Sequence, residues 1–345
     1  MKNQVEHTKT TFVIFFCLAL ASCQSSRQDV PERMRTPAPE QSLIPALDEK
    51  SLVAKINSCA DQKERFELMT RLAELRRQDA PEKQEQLLEQ ITQLSEKVFG
   101  HTSIEYADSL CRQARLYFQE KELGNSAKKW IAAEEIYELK GDEYNNKVMQ
   151  CVSGRIAAEC ANGTCKTETE LYKKLLELRR KVLGNTDQQT MIAAMLLAEV
   201  YGKTGKDKEA LKLFQEVYDW SLTRSPADCS AASLNLARTY IRLNEYKKAE
   251  ALIRTSLDYA QTHPINGRIN PLLISALKVQ LFYFQRQKLY KEAVTVAKEI
   301  LDQNEKQMGP KHPQLGASIM IYANALRDAG RVKEAKVLEK RVELL

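Results

Sequence analysis

The chain has 345 residues, of which 43% are hydrophobic and 28% charged, and its formal net charge at pH 7 is +6. This amount of apolar material can form a sizeable core, which excludes wholesale disorder. Only 12 glycines are present, and a large all-β protein would need more of them for its turns. The positive excess is small and dispersed, so it gives no support for nucleic-acid binding.

Residues 1–22 have the pattern of an export signal. Lys2 and Lys9 precede an apolar run at residues 11–22, which is too short to span a hydrocarbon core of ~30 Å comfortably but suits a signal peptide. The run leads into Leu20-Ala21-Ser22-Cys23, which resembles the lipobox of bacterial lipoproteins. The resemblance implies that Cys23 receives diacylglycerol before cleavage. The alternative is an ordinary signal peptide followed by a coincidental cysteine.

The residues after the cysteine predict a location in the cell and a tether. Gln24 stands where an Asp in enterobacterial lipoproteins implies inner-membrane retention, so the resemblance favours the outer membrane, facing the periplasm. Residues 23–46 contain four of the ten prolines, a composition that favours an extended tether over packing. The alternative for Leu43 and Ile44 is an irregular strap packed on the first helices. Each buried methylene contributes about 0.8 kcal/mol, so two or three acyl chains would hold the protein at the membrane.

From about Leu47 onward, apolar residues recur at helical spacing, and a repeat becomes visible when the chain is aligned on glycine. Val98-Phe99-Gly100-His101 and Val182-Leu183-Gly184-Asn185 are 84 residues apart, which is twice 42. Gln307-Met308-Gly309-Pro310 follows 125 residues later, one short of three times 42. Periods of this length are typical of solenoids, in which each unit buries its apolar face only against its neighbours.

A second set of positions repeats with a similar period. It consists of a small or apolar residue, a large apolar residue three positions later, and an alanine nine or ten positions after that. The five sets are Ala114, Tyr117 and Ala127; Ala198, Tyr201 and Ala210; Ala237, Tyr240 and Ala249; Leu281, Phe284 and Ala293; and Ala323, Leu326 and Ala335. This spacing predicts pairs of helices that cross closely at the small residues. Four positions after three of the large residues stand Gly205, Asn244 and Gly330, for which we predict a left-handed turn conformation.

These units resemble tetratricopeptide repeats, in particular the 42-residue variety of kinesin light chains, which carries Gly-Pro-x-His-Pro before the first helix of a repeat. Gly309-Pro-Lys-His-Pro313 matches that motif residue for residue. The resemblance implies an all-α, right-handed superhelical solenoid of five to six helix–turn–helix repeats over residues 82–345. Residues 47–81 would form an N-terminal capping helix and a degenerate half-repeat. The unit near residues 144–183 is expected to be degenerate in its first helix.

No set of residues predicts catalysis or a cofactor. Gly202-Lys-Thr-Gly-Lys206 resembles a phosphate-binding loop, but Val200 and Asp207 occupy the positions that require Gly and Ser or Thr. The repeat places this segment in an interhelical turn. The three histidines beyond the signal segment are far apart, which gives no support for a triad or a zinc site. We therefore predict that the protein is not an enzyme and takes no cofactor or metal. The alternative, an enzyme, would need an unrecognised site within the solenoid.

Cysteine gives one further prediction. Six cysteines follow Cys23, an even number that permits pairing in the oxidising compartment that an exported chain enters. Cys160 and Cys165 bracket an Asn-Gly turn, so their thiols could form a disulfide across an interhelical loop. The alternative for all six is a free thiol buried at a small-residue position. The sequence has no CxxC motif, so an oxidoreductase role has no support.

The sequence therefore predicts a membrane-anchored, noncatalytic interaction scaffold of the bacterial cell envelope, whose protein or peptide partner binds the concave face lined by the first helices. In the family, asparagines of these helices often bind the ligand backbone, and only Asn235 clearly occupies such a position here. The alternative is an envelope assembly or secretion and pilus accessory lipoprotein, similar to pilotins. Their repeats usually run at 34 residues, so the 42-residue period argues against that alternative.

The C-terminal repeats are a second candidate surface. Residues 268–345 contain 14 basic and eight acidic residues, a net charge of +6. The chain is also expected to stop inside its last helix, without the polar cap that solenoid ends normally carry. We identify Arg327, Arg331, Lys340 and Arg341 as candidates that bind an acidic partner or a second copy of the chain. The alternative is a frayed end with an ordinary solvated basic face.

Overall fold

The computed structural model describes residues 48–76, 81–163, 168–265 and 270–345. The signal segment, residues 23–46 with Cys23, and Cys165 lie outside these ranges. Lipidation, the tether and the Cys160–Cys165 disulfide therefore stay predictions. The chain divides into two compact units, residues 1–75 and 76–345.

The described residues form fifteen α-helices, two short 3-10 segments and no β-strand, which confirms the all-α prediction. The helices are α1 Glu49–Ser58, α2 Gln62–Leu75, α3 Pro81–Phe99, α4 Ile104–Gln119, α5 Leu123–Lys140, α6 Asn145–Ala161, α7 Glu168–Leu183, α8 Gln188–Lys203, α9 Asp207–Ser221, α10 Pro226–Arg242, α11 Tyr246–Thr262, α12 Pro271–Arg286, α13 Tyr290–Met308, α14 Gly316–Asp328 and α15 Val332–Glu343. The 3-10 segments are Asp142–Tyr144 and Pro313–Leu315.

The described part of the first unit is a pair of helices, α1 and α2, that pack against each other. Asp48 caps α1, because its carboxylate accepts a hydrogen bond from the Ser51 N–H at 2.9 Å. The buried apolar residues of the pair include Leu52 of α1 and Leu72 of α2. This pair occupies the segment for which an N-terminal cap and half-repeat are predicted.

The second unit consists of α3 followed by six helix pairs, α4/α5, α6/α7, α8/α9, α10/α11, α12/α13 and α14/α15. The two helices of every pair pack against each other, and each second helix also packs against the first helix of the next pair. We call α4, α6, α8, α10, α12 and α14 the first helices. We call their partners α5, α7, α9, α11, α13 and α15 the second helices.

Small residues let the paired helices approach closely, as predicted. Eight of the predicted alanines have no exposed surface, namely Ala114, Ala198, Ala210, Ala237, Ala249, Ala293, Ala323 and Ala335. Ala127 differs, since it is half-buried. Ser126, one residue earlier, is fully buried, and its hydroxyl donates to the Ala114 carbonyl at 2.7 Å. The choice of Ala127 was therefore wrong by one residue, because a serine that bonds across the crossing serves where alanine was expected.

The turns within the pairs confirm the predicted conformation. Gly205, Asn244 and Gly330 have φ values of 76°, 60° and 76°. Lys121 and Lys288 hold the equivalent positions with φ values of 64° and 60°, although a Cβ disfavours this conformation by roughly 1–2 kcal/mol. After each of the five, the next N–H donates to the carbonyl of the large apolar residue five positions earlier, at 2.8–2.9 Å. That bond satisfies a carbonyl at the helix end and fixes the turn.

The glycines used to align the repeat share one conformation as well. Gly100, Gly184 and Gly309 have φ values of 90°, 91° and 88°. Each follows the end of a helix, so the alignment reflects a junction between repeats that requires a positive φ.

Two of the five successive pairs of first helices contact each other within the stack. α10 contacts α12 directly and α4 contacts α6, whereas no two successive second helices in the described ranges pack comparably. A stack whose first helices approach each other more closely than its second helices curves toward the first helices. We call the concave face that they line the groove.

The repeat near residues 144–183 departs from the sequence pattern but keeps the fold. Its first helix, α6, has 17 residues. At Gly154 of α6, an added Cβ would lie less than 3.0 Å from three ring atoms of Trp130 in α5. The Trp130 side chain is almost fully buried. Glycine thus makes room for a large indole between α5 and α6.

Candidate functional site

Three charged side chains line the groove on successive first helices: Glu199 of α8, Arg238 of α10 and Lys278 of α12. Glu199 and Arg238 are equivalent, because each lies six residues before the left-handed turn residue of its repeat, Gly205 or Asn244. Lys278 lies about one helical turn earlier on its own helix. We call Glu199, Arg238 and Lys278 the groove charges.

Protein atoms surround the groove charges although water reaches them. Arg238 and Lys278 are exposed by surface area, and Glu199 is half-buried. Loss of hydration nevertheless lowers the pKa of Arg238 and the pKa of Lys278, and raises the pKa of Glu199. Surface exposure and a pKa shifted by lost hydration are compatible for side chains in a concavity. There, neighbouring helices displace solvent without covering the charged group.

The groove charges also act on each other. The pKa of Arg238 is lowered chiefly by burial, and the negative charge of Glu199 opposes that shift. The pKa of Lys278 is lowered by burial and further by the positive charge of Arg238. The groove therefore changes from negative at α8 to doubly positive at α10 and α12.

The two cations form no ion pair within the described residues. Within the described residues, neither Arg238 nor Lys278 has a hydrogen-bond or ion-pair partner. Arg242, one turn after Arg238, is already occupied, since its Nε donates to Asp207 Oδ1 at 2.5 Å. Arg180 likewise donates to Glu216, at 2.6 and 2.8 Å to its two oxygens. The groove thus presents two neighbouring cations, partly desolvated by the surrounding helices, that can accept an external anion.

Asn235, the predicted ligand-binding asparagine, lies on the same face of α10 as Arg238, three residues before it. It is half-buried, and its backbone carbonyl accepts a hydrogen bond from Thr239 Oγ1 at 3.1 Å. The structure therefore places Asn235 beside the groove charges. Its role in binding stays a prediction.

The segment that resembles a phosphate-binding loop is an interhelical turn, as expected. α8 ends at Lys203 and α9 begins at Asp207. A Cβ at Gly202 would lie 2.5 Å from Arg242 Nη2. This glycine makes room for the guanidinium that pairs with Asp207, which gives it a structural reason unrelated to phosphate.

The C-terminal candidates carry fewer unpaired charges than the sequence suggests. Arg327 pairs with Glu339 at 2.5 Å, and Arg331 binds both oxygens of Glu334 at 2.6–2.7 Å. Arg341 pairs with Glu305 at 2.6 Å and donates to the Pro310 carbonyl at 2.8 Å. Lys340 is exposed. Their role in docking stays a prediction.

The apolar end of the last helix is partly covered. Val342 and Leu345 pack against a core cluster formed by Leu301, Leu315 and Ile319. Leu344, in contrast, is 86% exposed.

The described residues contain no group of three or more His, Cys, Asp and Glu side chains that could hold a metal ion. His312 instead caps the 3-10 segment at Pro313–Leu315, because its Nδ1 accepts from the Gln314 N–H at 3.2 Å. His263 stacks on Tyr259. In the same ranges, no helix is long and apolar enough to cross a membrane.

Sequence reasoning missed the groove charges. Counting back six residues from each turn residue would have aligned Glu199 with Arg238 and, on α12, with Phe282. An exposed charge on an amphipathic helix is usually only a solvated face, and nothing in the chain itself distinguishes a charge that neighbouring helices dehydrate. The two kinds of charge can be distinguished only when the packing of the neighbouring helices is known.

Residues 204–265, which cover α9 to α11, match the family model for the tetratricopeptide repeat. Among solved structures, the apo form of RapI is similar with a TM-score of 0.55 and 12% identity, over 81% of this chain and 73% of that one. These observations settle the architecture. The fold is a tetratricopeptide-repeat solenoid.

Other solved structures are similar as well. A signal-transduction ATPase of Pyrococcus horikoshii with a tetratricopeptide-repeat sensor matches with a TM-score of 0.53 and 15% identity, over 85% of this chain and 43% of that one. TPR-like repeats of a kinesin light chain from Podospora anserina match at 19% identity and a TM-score of 0.49, over 59% of this chain and 95% of that one. At these identities the likeness concerns the fold alone. A comparison with curated proteins finds no significant match.

Proposed function

We propose that this tetratricopeptide-repeat solenoid is a noncatalytic scaffold that holds an acidic, extended segment of a partner protein in its groove. The observation that carries the proposal is the pair of adjacent cations, Arg238 and Lys278, that lie in the groove without an ion-pair partner in the described residues. Repeats of this kind form extended concave surfaces that are suited to such binding.

A carboxylate fits this position for two physical reasons. It would replace the hydration that both cations lose in the groove, and it would remove the repulsion between them. The planar guanidinium of Arg238 can also bind a carboxylate through two parallel hydrogen bonds. An acidic side chain therefore gains more here than at a fully hydrated cation.

The other groove residues limit the partner further. Glu199 on α8 would repel a second carboxylate, so the segment should be neutral or basic where it passes α8. Phe282 on α12 is half-buried and offers an apolar contact next to the cations. Three of the four C-terminal candidates are already paired within the chain, so the proposal places the partner in the groove and not on the last helix.

Peptides selected from a random phage-displayed library on the full chain supply the probes for a test. Binding of the selected peptides, measured by fluorescence anisotropy, should weaken at least about tenfold in Arg238→Glu and in Lys278→Glu. Rising salt should also weaken it, because the contact is between charges at a solvent-accessible site.

Matched controls are Arg254→Glu on α11 and Lys298→Glu on α13, two exposed cations of second helices. They change the net charge equally but lie away from the groove, so peptide affinity should stay within about twofold of the unmodified chain. Equal affinity of the groove variants and these controls would show that the binding surface lies elsewhere.

We further propose that Cys23 carries a lipid that anchors the protein to a bacterial membrane, with the outer membrane, facing the periplasm, as the favoured site. Support comes from the sequence Leu20-Ala21-Ser22-Cys23. Cells labelled with an alkyne fatty acid should mark the protein, and Cys23→Ala should lose the label and leave a soluble or precursor form. A label that persists on the variant would contradict the anchor without affecting the groove proposal.

A further inference from the structure

Two buried cysteines meet between successive first helices. The Sγ atoms of Cys111 in α4 and Cys151 in α6 lie 3.7 Å apart. Cys111 is 3% exposed and Cys151 has no exposed surface. The two residues are 40 positions apart in the sequence, and neither belongs to the pair predicted from the Asn-Gly turn. Only the packing of α4 on α6 brings them together.

A polar network holds the two helices in this register. The hydroxyl of Tyr137, in α5, donates to Asp108 of α4 at 2.5 Å and lies 3.9 Å from Cys111 Sγ. Lys147 of α6 donates to the same Asp108 oxygen at 2.6 Å. Asp108 thus links α4 to both neighbouring helices, within one turn of Cys111. The two sulfurs therefore face each other in a braced position.

The surroundings make the two thiols unequal. Either sulfur can be the donor in the contact between them. Donation by Cys151 favours the thiolate of Cys111 and lowers the pKa of that thiol. The same bond and burial raise the pKa of the Cys151 thiol. Since the thiolate is the nucleophile in thiol–disulfide exchange, the lowered pKa favours Cys111 as the first nucleophile.

We propose that Cys111 and Cys151 form a disulfide that joins α4 to α6 when the chain folds in the presence of a disulfide oxidant. A disulfide needs an S–S distance of about 2.05 Å, so the sulfurs must approach by roughly 1.7 Å. Rotation about the Cα–Cβ bonds of two adjacent side chains provides much of such a movement. The proposal rests on this geometry and is independent of the proposed groove partner.

The exchange is balanced in two steps. The Cys111 thiolate attacks one sulfur of the oxidant's disulfide, which forms a mixed disulfide and releases the other sulfur as a thiolate that takes up a proton. The Cys151 thiol then loses its proton and attacks Cys111 Sγ, which forms the Cys111–Cys151 bond and releases the second thiol of the oxidant. The two cysteines lose two electrons and two protons, and the oxidant is reduced to two thiols. Because both sulfurs are buried, the exchange takes place during folding or local opening.

The test uses the full chain, refolded from urea in a mixture of oxidised and reduced glutathione, then alkylated in denaturant and digested with trypsin. Cys111 falls in the tryptic peptide 98–112 and Cys151 in 148–155, and each peptide holds one cysteine. A joined species of these two peptides that reduction separates is the expected result. The half-buried Cys59 and Cys229 show that the oxidant reacted, since they should carry glutathione.

Two outcomes would overturn the assignment. One is that both peptides are alkylated separately while Cys59 or Cys229 carries glutathione. The other is that Cys111 is found joined to a different cysteine. As a second measurement, oxidation should raise the melting midpoint by several degrees, because the bridge restricts the unfolded chain. Cys151→Ser should lose that rise, whereas Cys229→Ser should keep it. An equal rise in Cys151→Ser would also refute the bridge.

Discussion

The helices α4–α7 and the helices α8–α13 share one helix–turn–helix unit but are held together differently. In α8–α13, alanines without exposed surface lie at the crossings, among them Ala198 and Ala237. In α4–α7, a buried alanine also lies at one crossing, Ala114, but specific pairs add to the packing. Trp130 fills the space left by Gly154, and the buried Glu134 binds Lys174 of α7.

This difference shows that a solenoid can keep its geometry while changing what stabilises it. Repeated close crossings spread the stabilisation over many small contacts, each of which depends on volume. Paired contacts concentrate it in a few side chains, each of which depends on its partner. Substitutions that increase the volume of a side chain at a crossing should therefore destabilise α8–α13 most. Substitutions that remove one side chain of a pair should destabilise α4–α7 most.

The largest effect is expected from Ala237→Trp in α10. This helix belongs to α8–α13, which we call the regular half, whereas we call α4–α7 the irregular half. Ala237 has no exposed surface, and the close crossing cannot accept an indole without overpacking, so the free energy of unfolding should fall by about 3 kcal/mol or more. Urea unfolding followed by circular dichroism measures the change. The matched control is Ala231→Trp, at an exposed position of the same helix. If both substitutions cost the same, the crossing is not tightly packed.

In α4–α7, the substitution Gly154→Ala should lower the free energy of unfolding by about 1–3 kcal/mol. Three ring atoms of Trp130 lie within 3.0 Å of the new Cβ position, and the indole is 4% exposed. The ring therefore has little room to move. Gly124→Ala in α5 is the control, because nothing lies within 4 Å of its Cβ position. That substitution should be neutral or slightly stabilising, and a similar loss in both variants would exclude the Trp130 contact as the cause.

The two halves also differ in how far the sequence predicts them. The alanine spacing and the turn residues Gly205 and Asn244 are single positions with a local meaning, so the repeats of α8–α13 and two of the three turns within their helix pairs could be predicted. Lys121 and Lys288 were missed at equivalent turns, because a lysine carries no signal for positive φ. Their conformation follows from the helices that they connect.

The groove and the cysteine pair could not be predicted for a related reason. Arg238 and Lys278 resemble solvated surface charges until neighbouring helices are placed around them. Cys111 and Cys151 are neighbours only across two helices, whereas the predicted pair, Cys160 and Cys165, is close in sequence. Properties that depend on two distant residues leave no pattern in either one.

Glu134→Gln tests the charged pairs of the irregular half and should cost about 1–2 kcal/mol. Glu134 is 4% exposed, and Lys174 and Arg155 are its cationic neighbours. Both cations keep a second acidic partner, so the loss should be smaller than the cost of leaving a buried charge unpaired. The control is Glu170→Gln, which removes an exposed pair with Lys173 and should cost less than about 0.5 kcal/mol. Urea unfolding at low and high salt distinguishes the two, because only the exposed pair is strongly screened.

The smallest effect concerns Glu199, in the groove of the regular half, and it depends on pH. Burial raises the pKa of this carboxyl above its ordinary value of 4.5, although Lys203 and Arg238 oppose the shift. The folded chain therefore binds the proton more tightly than the unfolded chain, so stability falls as pH rises from about 4.5 through the folded pKa. Glu199→Gln stays neutral at every pH and lacks this loss.

The variant should consequently be more stable than the unmodified chain at pH 7, by on the order of 0.5 kcal/mol, and equally stable near pH 3.5. Thermal melting across this range measures the difference. A gain that persists at pH 3.5 would mean that lost hydration of the carboxylate is not its cause. The same substitution removes the negative end of the groove, so acidic peptides should bind the variant more tightly at pH 7. If stability changes as expected while peptide affinity does not, Glu199 lies in a dehydrated concavity that the peptide does not reach.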